Sequence, residues 1–376
     1  MHQVLLIAGT RPEAIKLAPV LLALRRSQSL RPLLCSTGQH KEMLRQAWQA
    51  FGLQPDIDMH TMTNAQTLAG LSARLFAAID AELEANRPDF LLVQGDTTTV
   101  MVAATCAFYR NIPVGHVEAG LRSHDLAKPF PEEFNRRVVS LTTALHFAPT
   151  EGAAQNLYAE GVVKEQVIVT GNTVVDALRL MRERVRETPP ALPIGLAGVV
   201  QEGRPLVLIT VHRRELSTKG LNSICEAVEG MARDFPQIAF VWPVHLNPRI
   251  KDTVTAKLGS IPNILLTAPL EYPVFVFLLD RCHFVLSDSG GIQEEAPSFG
   301  KQVLVLREVT ERPEAVDAGF CRLLGSDALA IRAAADRLLR AERPIRINAP
   351  NPFGDGHAAE RIVQKIEMIL GCNSVQ

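Results

Sequence analysis

Cysteine is scarce and scattered in this chain. Cys35, Cys106, Cys225, Cys282, Cys321 and Cys372 form no Cys-x-x-Cys pair and no Cys/His cluster, so a zinc site is not expected. Nor does so sparse a set suit a disulfide framework in a chain of 376 residues, and a reduced, cytoplasmic compartment is the expectation. Aromatic residues make up only 5 %, too few for base-stacking platforms. Charge of one sign is also missing. Lys+Arg is 39 and Asp+Glu is 40, which argues against a nucleic-acid or anionic-membrane partner. The longest apolar run, Pro273–Leu279, stops at Asp280-Arg281, far short of the ~20 residues that span a bilayer. The first run, Val4–Ala8, is too short for a signal-peptide core. A soluble protein is expected.

The hydrophobic fraction is 47 %, which is ordinary globular composition and excludes wholesale disorder. Short, continuous apolar runs alternate with helix-length amphipathic stretches. In the first half the runs are Val4–Ala8, Leu33–Ser36, Phe90–Gln94, Val114–Val117, Leu145–Ala148 and Val167–Thr170. In the second half they are Leu206–Val211, Ile238–Val244, Ile264–Thr267, His283–Ser287, Val303–Arg307 and Arg322–Leu324. Continuous rather than alternating hydrophobicity marks strands buried on both faces, as in parallel sheets covered by helices. Two sets of such runs predict an α/β chain with two doubly wound, Rossmann-like parallel-sheet domains. Thr188–Pro193 and the Gly-containing stretch to Pro205 read as the linker, after a helix over Val174–Glu187. Ala358–Leu370 reads as a last helix. Ligands of open α/β sheets bind beyond the carboxyl ends of the strands, and two facing domains would hold one ligand between them.

The strand ends carry the chemistry. Gly9-Thr10-Arg11-Pro12-Glu13 reads as a helix start, since Thr10 and Glu13 have capping-box spacing and Pro12 suits a first turn. The cap needs neither Arg11 nor Lys16, and that pair marks an anion site at a helix N-terminus. Asp96, after Phe90–Gln94, reads either as a helix cap or as a functional acid. Glu118, after Val114–Val117, is a less natural cap, while Glu132 and Glu133 fit a helix first turn. Together, several carboxylates at one sheet edge are unfavourable unless paired or functional.

In the second half, His212 and His245 stand at strand ends. Ser289-Gly290-Gly291 opens a helix whose backbone N–H groups can approach a phosphate. Glu295, one turn along, can accept from ribose hydroxyls, and Arg312 offers a further cation. No dinucleotide glycine fingerprint, no P-loop and no His-Glu-x-x-His is present. Nucleotide binding without those signatures leaves nucleotide-sugar chemistry.

The motifs resemble the non-hydrolysing UDP-N-acetylglucosamine 2-epimerase family. The matching strings are Gly9–Lys16, Gly95–Thr99, Val114–Arg122, Pro131–Glu133, Gly171–Thr173, His212–Glu215, Val244–Pro248, Asp288–Pro297 and Thr310–Glu314, in unbroken order to about residue 370. The resemblance implies glycosyltransferase-B architecture, with an N-terminal domain over 1–173, a UDP-binding domain over 174–357, and residues 358–376 returning to the first. It implies reversible C2 epimerisation of UDP-N-acetylglucosamine to UDP-N-acetylmannosamine by UDP elimination and re-addition through 2-acetamidoglucal. No metal or redox cofactor takes part, and the product serves surface polysaccharide synthesis. By motif, the catalytic groups fall on Asp96, Glu118, Glu132 and His212. UDP-sugar contacts fall on Arg11, Lys16, Leu270, Phe275, Ser289, Gly290, Gly291, Glu295 and Arg312. Leu270 departs from the family's frequent Gln, Leu216 from its Asn or Ser, and Ala65 from an Arg that serves a second, regulatory UDP-sugar in some members. The alternatives are a 2-epimerase of a related UDP-2-acetamido sugar, such as a uronic acid derivative, a retaining glycosyltransferase, and a non-catalytic nucleotide-sugar sensor. A cytoplasmic homodimer is expected.

Overall fold

The computed structural model describes residues 1–38, 41–61, 67–211, 217–245 and 247–372. The chain divides into two compact units. The first comprises Met1–Leu180 and Phe353–Gln376, and the second Met181–Pro352. The division runs through the helix Thr173–Glu187.

The first unit holds one all-parallel sheet of β1 (His2–Ala8), β2 (Leu30–Ser36), β3 (Ile57–Asp58), β4 (Phe90–Gln94), β5 (Val114–Val117), β6 (Leu145–Ala148) and β7 (Val167–Val169). The spatial order is β3-β2-β1-β4-β5-β6-β7, so the direction of winding reverses between β1 and β4. Leu5, Ile7, Leu91 and Val93 are wholly buried, packed with Leu71, Leu75, Ile79 and Leu83 of the helix Leu68–Asn86 and with the helix Thr98–Tyr109. Burying each such side chain stabilises by roughly 1.5–3 kcal/mol. The edge strand β3 escapes the sequence pattern because two residues carry no periodicity.

The helix Ala358–Cys372 lies against the helix Arg11–Leu24. It buries Ile362, Ile366 and Leu370, and its start is fixed by Asp176 Oδ1, which accepts from Ala359 N at 2.8 Å. The returning chain passes Gly171 so closely that an added Cβ there would lie 3.2 Å from Gly354 Cα.

The second unit is again all parallel, with β8 (Leu206–Thr210), β9 (Ala239–Pro243), β10 (Ile264–Thr267), β11 (Val285–Ser287), β12 (Val303–Val305) and β13 (Cys321–Leu323). Its order is β10-β9-β8-β11-β12-β13, with the reversal between β8 and β11. Val207, Ile209, Phe240, Trp242 and Leu286 pack with Leu221, Ile224, Val228 and Met231 of the helix Thr218–Asp234 and with Ile331, Ala335 and Leu338 of the helix Ala328–Leu339. The stretch read as linker contains a helix, Ile194–Gln201, anchored by buried Leu196 and Val199. Gly195 and Gly198 hid it, because two glycines depress helix propensity over eight residues. Among the described residues no helix is long and apolar enough to cross a membrane.

Candidate active site

In the first unit, β1, β4 and β5 are neighbours, so their carboxyl ends bring the Gly9, Gly95 and Glu118 motifs to the reversal of strand order, where open α/β sheets bind ligands. Arg11 and Lys16 stand on the helix that follows β1. Its start is capped by Glu13, whose carboxylate accepts from Gly9 N and, at 3.1 Å, from Thr10 N. Burial pushes the Glu13 carboxyl up to about 7 against these hydrogen bonds.

Asp96 is not a cap. Thr97 is the N-cap of the helix Thr98–Tyr109, its hydroxyl accepting from Val100 N at 3.4 Å. The Asp96 carboxylate turns instead to Arg136, which donates to Oδ2 from Nε at 3.0 Å and from Nη2 at 2.7 Å. Asn135 Nδ2 donates to the Asp96 backbone oxygen at 2.8 Å.

Glu118 is not a cap either. Its backbone lies at φ +66°, a left-handed conformation that costs free energy for a residue with a side chain and is held only by its surroundings. Its Oε2 accepts from the buried Lys16 Nζ and from Gln94 Nε2, the latter at 2.6 Å. Two donors converge on one oxygen, and the Glu118 side chain is only 8 % exposed.

Glu132 and Glu133 open the helix Glu132–Thr142 and divide the labour. Glu133 is fully buried and structural, accepting from Ser123 N at 3.0 Å, Arg136 Nη1 at 3.3 Å and Arg137 Nε at 3.5 Å. Glu132 is half-buried. His116, on β5, meets the Gly95 carbonyl at 2.7 Å. Burial pushes its pKa down to about 4, so at neutral pH it is a neutral donor that fixes the Gly95 turn. Arg122 is consumed by structure, with Nε and Nη2 each 2.8 Å from a Glu160 oxygen and Nη2 2.7 Å from Ser140 Oγ.

In the second unit, Ser289 is the N-cap of the helix Gly290–Glu295 that follows β11. Its backbone N donates to Ser287 Oγ at 2.9 Å, and Ser287 Oγ lies 2.7 Å from Thr210 Oγ1 on the neighbouring strand. Arg312 lies against this helix start. Its Nε donates to the buried Glu294 Oε1 at 2.6 Å. A Cβ on Gly290 would fall 2.5 Å from Arg312 Nη1 and 2.7 Å from Cζ, so only glycine admits the guanidinium there. Burial pushes the nearby Glu311 carboxyl up, but Arg307 hydrogen bonds and the Arg307 and Arg312 charges outweigh it and hold it at about 2. Glu295, at the end of the short helix, is buried. Leu270 is buried and Phe275 half-buried around the start of a separate helix, Tyr272–Arg281.

The structure therefore gathers Lys16, Gln94 and Glu118 in one hydrogen-bonded set and Asp96 and Arg136 in another at neighbouring strand ends of the first unit, and Ser289, Gly290 and Arg312 in the second. His212, Leu216 and Ala65 lie outside the described residues. Among the described residues no set of three His, Cys, Asp or Glu side chains is arranged to hold a metal ion. Sequence reasoning missed Gln94, His116 and Arg136. The i, i+3 spacing of Glu133 and Arg136 was a signal for an ion pair, but nothing in the sequence tied Arg136 to Asp96, 40 positions away.

Residues 22–367 match the family model described as UDP-N-acetylglucosamine 2-epimerase. The chain is 46 % identical over 372 residues to a probable UDP-N-acetylglucosamine 2-epimerase of Ralstonia solanacearum, covering 98 % of this chain and 99 % of that protein. The crystal structure of UDP-GlcNAc 2-epimerase from Neisseria meningitidis bound to UDP-GlcNAc superposes with a TM-score of 0.89 at 42 % identity, covering 97 % of this chain and 99 % of that one. An S. aureus MnaA–UDP structure gives a TM-score of 0.90 at 40 % identity, covering 99 % and 97 %.

Proposed function

This chain belongs to the UDP-N-acetylglucosamine 2-epimerase family, and on that premise we propose that it is an isomerase that interconverts UDP-N-acetylglucosamine and UDP-N-acetylmannosamine. The observation that carries the reading is the pair of acids at neighbouring strand ends. Asp96 and Glu118 each have one oxygen gripped by two donors, Arg136 twice for Asp96, Lys16 and Gln94 for Glu118.

In the forward half-reaction a carboxylate takes the proton from C2. The C2–H pair becomes the C1–C2 double bond, and the C1–O pair leaves with UDP. UDP then adds back to C1 while a second group delivers a proton to the opposite face of C2. The sequence is redox-neutral. Two faces need two acid/base groups, a part that suits Asp96, Glu118 and Glu132, with His212 as a further acid. The C2–H bond is weakly acidic, so stabilising the departing diphosphate is essential. Arg11, Lys16, Arg312 and the Ser289–Gly291 backbone serve that charge. Glu295 takes the ribose hydroxyls, and Leu270 and Phe275 line the uracil.

Incubation with UDP-N-acetylglucosamine in deuterium oxide, followed by proton NMR, tests the reading. The expected product is UDP-N-acetylmannosamine carrying deuterium at C2. Product free of deuterium, formed at full rate, would overturn the elimination route, and a glycoside product or no conversion would overturn the activity.

The proposal extends to a cytoplasmic homodimer. The exposed Phe108 and Tyr109 of the helix Thr98–Tyr109 lie on a helix that packs beside Glu132–Thr142, which exposes Phe134 and Leu141. Exposed apolar side chains on two adjacent helices suit contact with a second copy of the chain. Light scattering should give twice the chain mass, and a Phe108→Glu/Leu141→Glu variant should fall to one chain.

A further inference from the structure

Arg136 was not singled out by any motif, yet it bridges Asp96 and the buried Glu133. Its side chain is 9 % exposed. Both Nε and Nη2 converge on the single oxygen Oδ2 of Asp96, at 3.0 and 2.7 Å, instead of forking across both carboxylate oxygens. The third nitrogen, Nη1, reaches Glu133 Oε2 at 3.3 Å. Glu133 is itself immobilised by Ser123 N and Arg137. The preceding residue, Asn135, holds the Asp96 backbone oxygen. One turn of one helix thus fixes both the backbone and the carboxylate of Asp96.

If neutralising buried Glu133 were the whole purpose of Arg136, its shortest bonds would go there. They go to Asp96, whose side chain is 28 % exposed. Saturating Oδ2 with two charge-assisted hydrogen bonds leaves Oδ1 as the oxygen that exchanges protons. We propose that Arg136 is a positioning residue for Asp96, which locks Oδ2 to the protein and directs proton transfer through Oδ1. The proposal rests on the reading of Asp96 as an acid/base group of the epimerase.

The test is a double-mutant cycle on UDP-N-acetylglucosamine epimerisation with Arg136→Gln, Arg136→Lys and Asp96→Asn. Arg136→Gln should lower kcat about 10- to 10²-fold, the cost of misplacing a reacting group by about 1 Å, with KM within about 3-fold of the parent. Arg136→Lys should recover part of the loss, since an ammonium can still donate to Oδ2. In the Asp96→Asn background, Arg136→Gln should change the rate by less than about 2-fold. Additive losses, a change confined to KM, or parental kinetics in Arg136→Gln would each overturn the proposal. Should Arg136→Gln fail to fold because Glu133 is stranded, the paired Glu133→Gln/Arg136→Gln variant removes both buried charges and enters the same cycle. A parent protein without epimerase activity would sink the functional reading instead. The positioning claim then stands or falls on the Arg136→Gln crystal structure, in which Asp96 must leave its present orientation. An unmoved Asp96 overturns it.

Discussion

Replacing Gly290 with alanine should disturb the Ser289–Gly291 helix start of the second unit through a steric route that the structure specifies. The new Cβ would meet Arg312 Nη1 at 2.5 Å and Cζ at 2.7 Å, inside any tolerable contact. A guanidinium at the end of a flexible side chain usually swings away at little cost. Arg312 is held, because its Nε donates to Glu294 Oε1 at 2.6 Å and the Glu294 side chain is 1 % exposed. Moving it weakens a hydrogen bond between charged groups, worth about 1.5–3 kcal/mol. For a unit the size of Met181–Pro352 each kcal/mol lowers Tm by ~2–4 °C, so the loss should be about 3–12 °C. If the aligned guanidinium binds the diphosphate, the same energy corresponds to ~10- to 10²-fold weaker UDP binding. Gly291→Ala is the internal control. Its nearest heavy atom would be Ser289 Oγ at 3.8 Å, ordinary contact, so Tm should stay at or slightly above the parent value. Differential scanning calorimetry and UDP titration calorimetry read both effects. Parental Tm and UDP affinity in Gly290→Ala, or an equal fall in Tm for Gly291→Ala, would refute the reasoning.

Asp96→Asn, Glu118→Gln, Glu132→Gln and His212→Asn should each lower kcat by at least ~10²-fold, and a variant with near-parental turnover in a coupled UDP-sugar assay removes its residue from the catalytic set. Glu13 has a folded pKa of about 7, raised by burial from 4.5, so the native state holds a proton that the unfolded chain releases. Its share of stability is complete below pH 4.5 and is lost as pH rises to about 7, up to ~3 kcal/mol. Glu13→Gln should therefore gain in Tm relative to the parent between pH 5 and pH 8, and a pH-independent difference would count against the shift. Burial pushes the Cys106 and Cys225 thiols up to about 11, those of Cys282 and Cys321 to about 12, and that of Cys35 further still. None of the five should react with an aromatic disulfide reagent in the native state at pH 8, whereas all should react in guanidinium.

Much of the fold was legible because burial on both faces writes itself as continuous apolar runs. Every long run of the first sheet, from Val4–Ala8 to Phe90–Gln94, coincides with a strand. The failures have local causes. β3 is too short for a pattern, and the helix Ile194–Gln201 is built on residues with weak propensity and stabilised by the burial of Leu196 and Val199. At the site, residue type and spacing named the acids and the Gly-Gly helix start. They could not decide between cap and chemistry for Asp96, because Asp and Thr at adjacent positions are both good caps. The folded chain excludes the cap, since Thr97 takes it and Asp96 turns to Arg136.

What the sequence determined by itself is the alternation of buried strands with helices, and the placing of charged groups at strand ends. Both follow from local rules of burial and capping. Only the tertiary structure decided the partners of those charges. Lys16 meets Glu118 across 102 positions and Arg136 meets Asp96 across 40, contacts that exist because β1, β4 and β5 are neighbours and the helix Glu132–Thr142 packs on β5 and beside the helix Thr98–Tyr109. Which oxygen of each acid these donors hold depends on angstrom-scale placement of groups from three separate elements, and no local pattern in the chain encodes that.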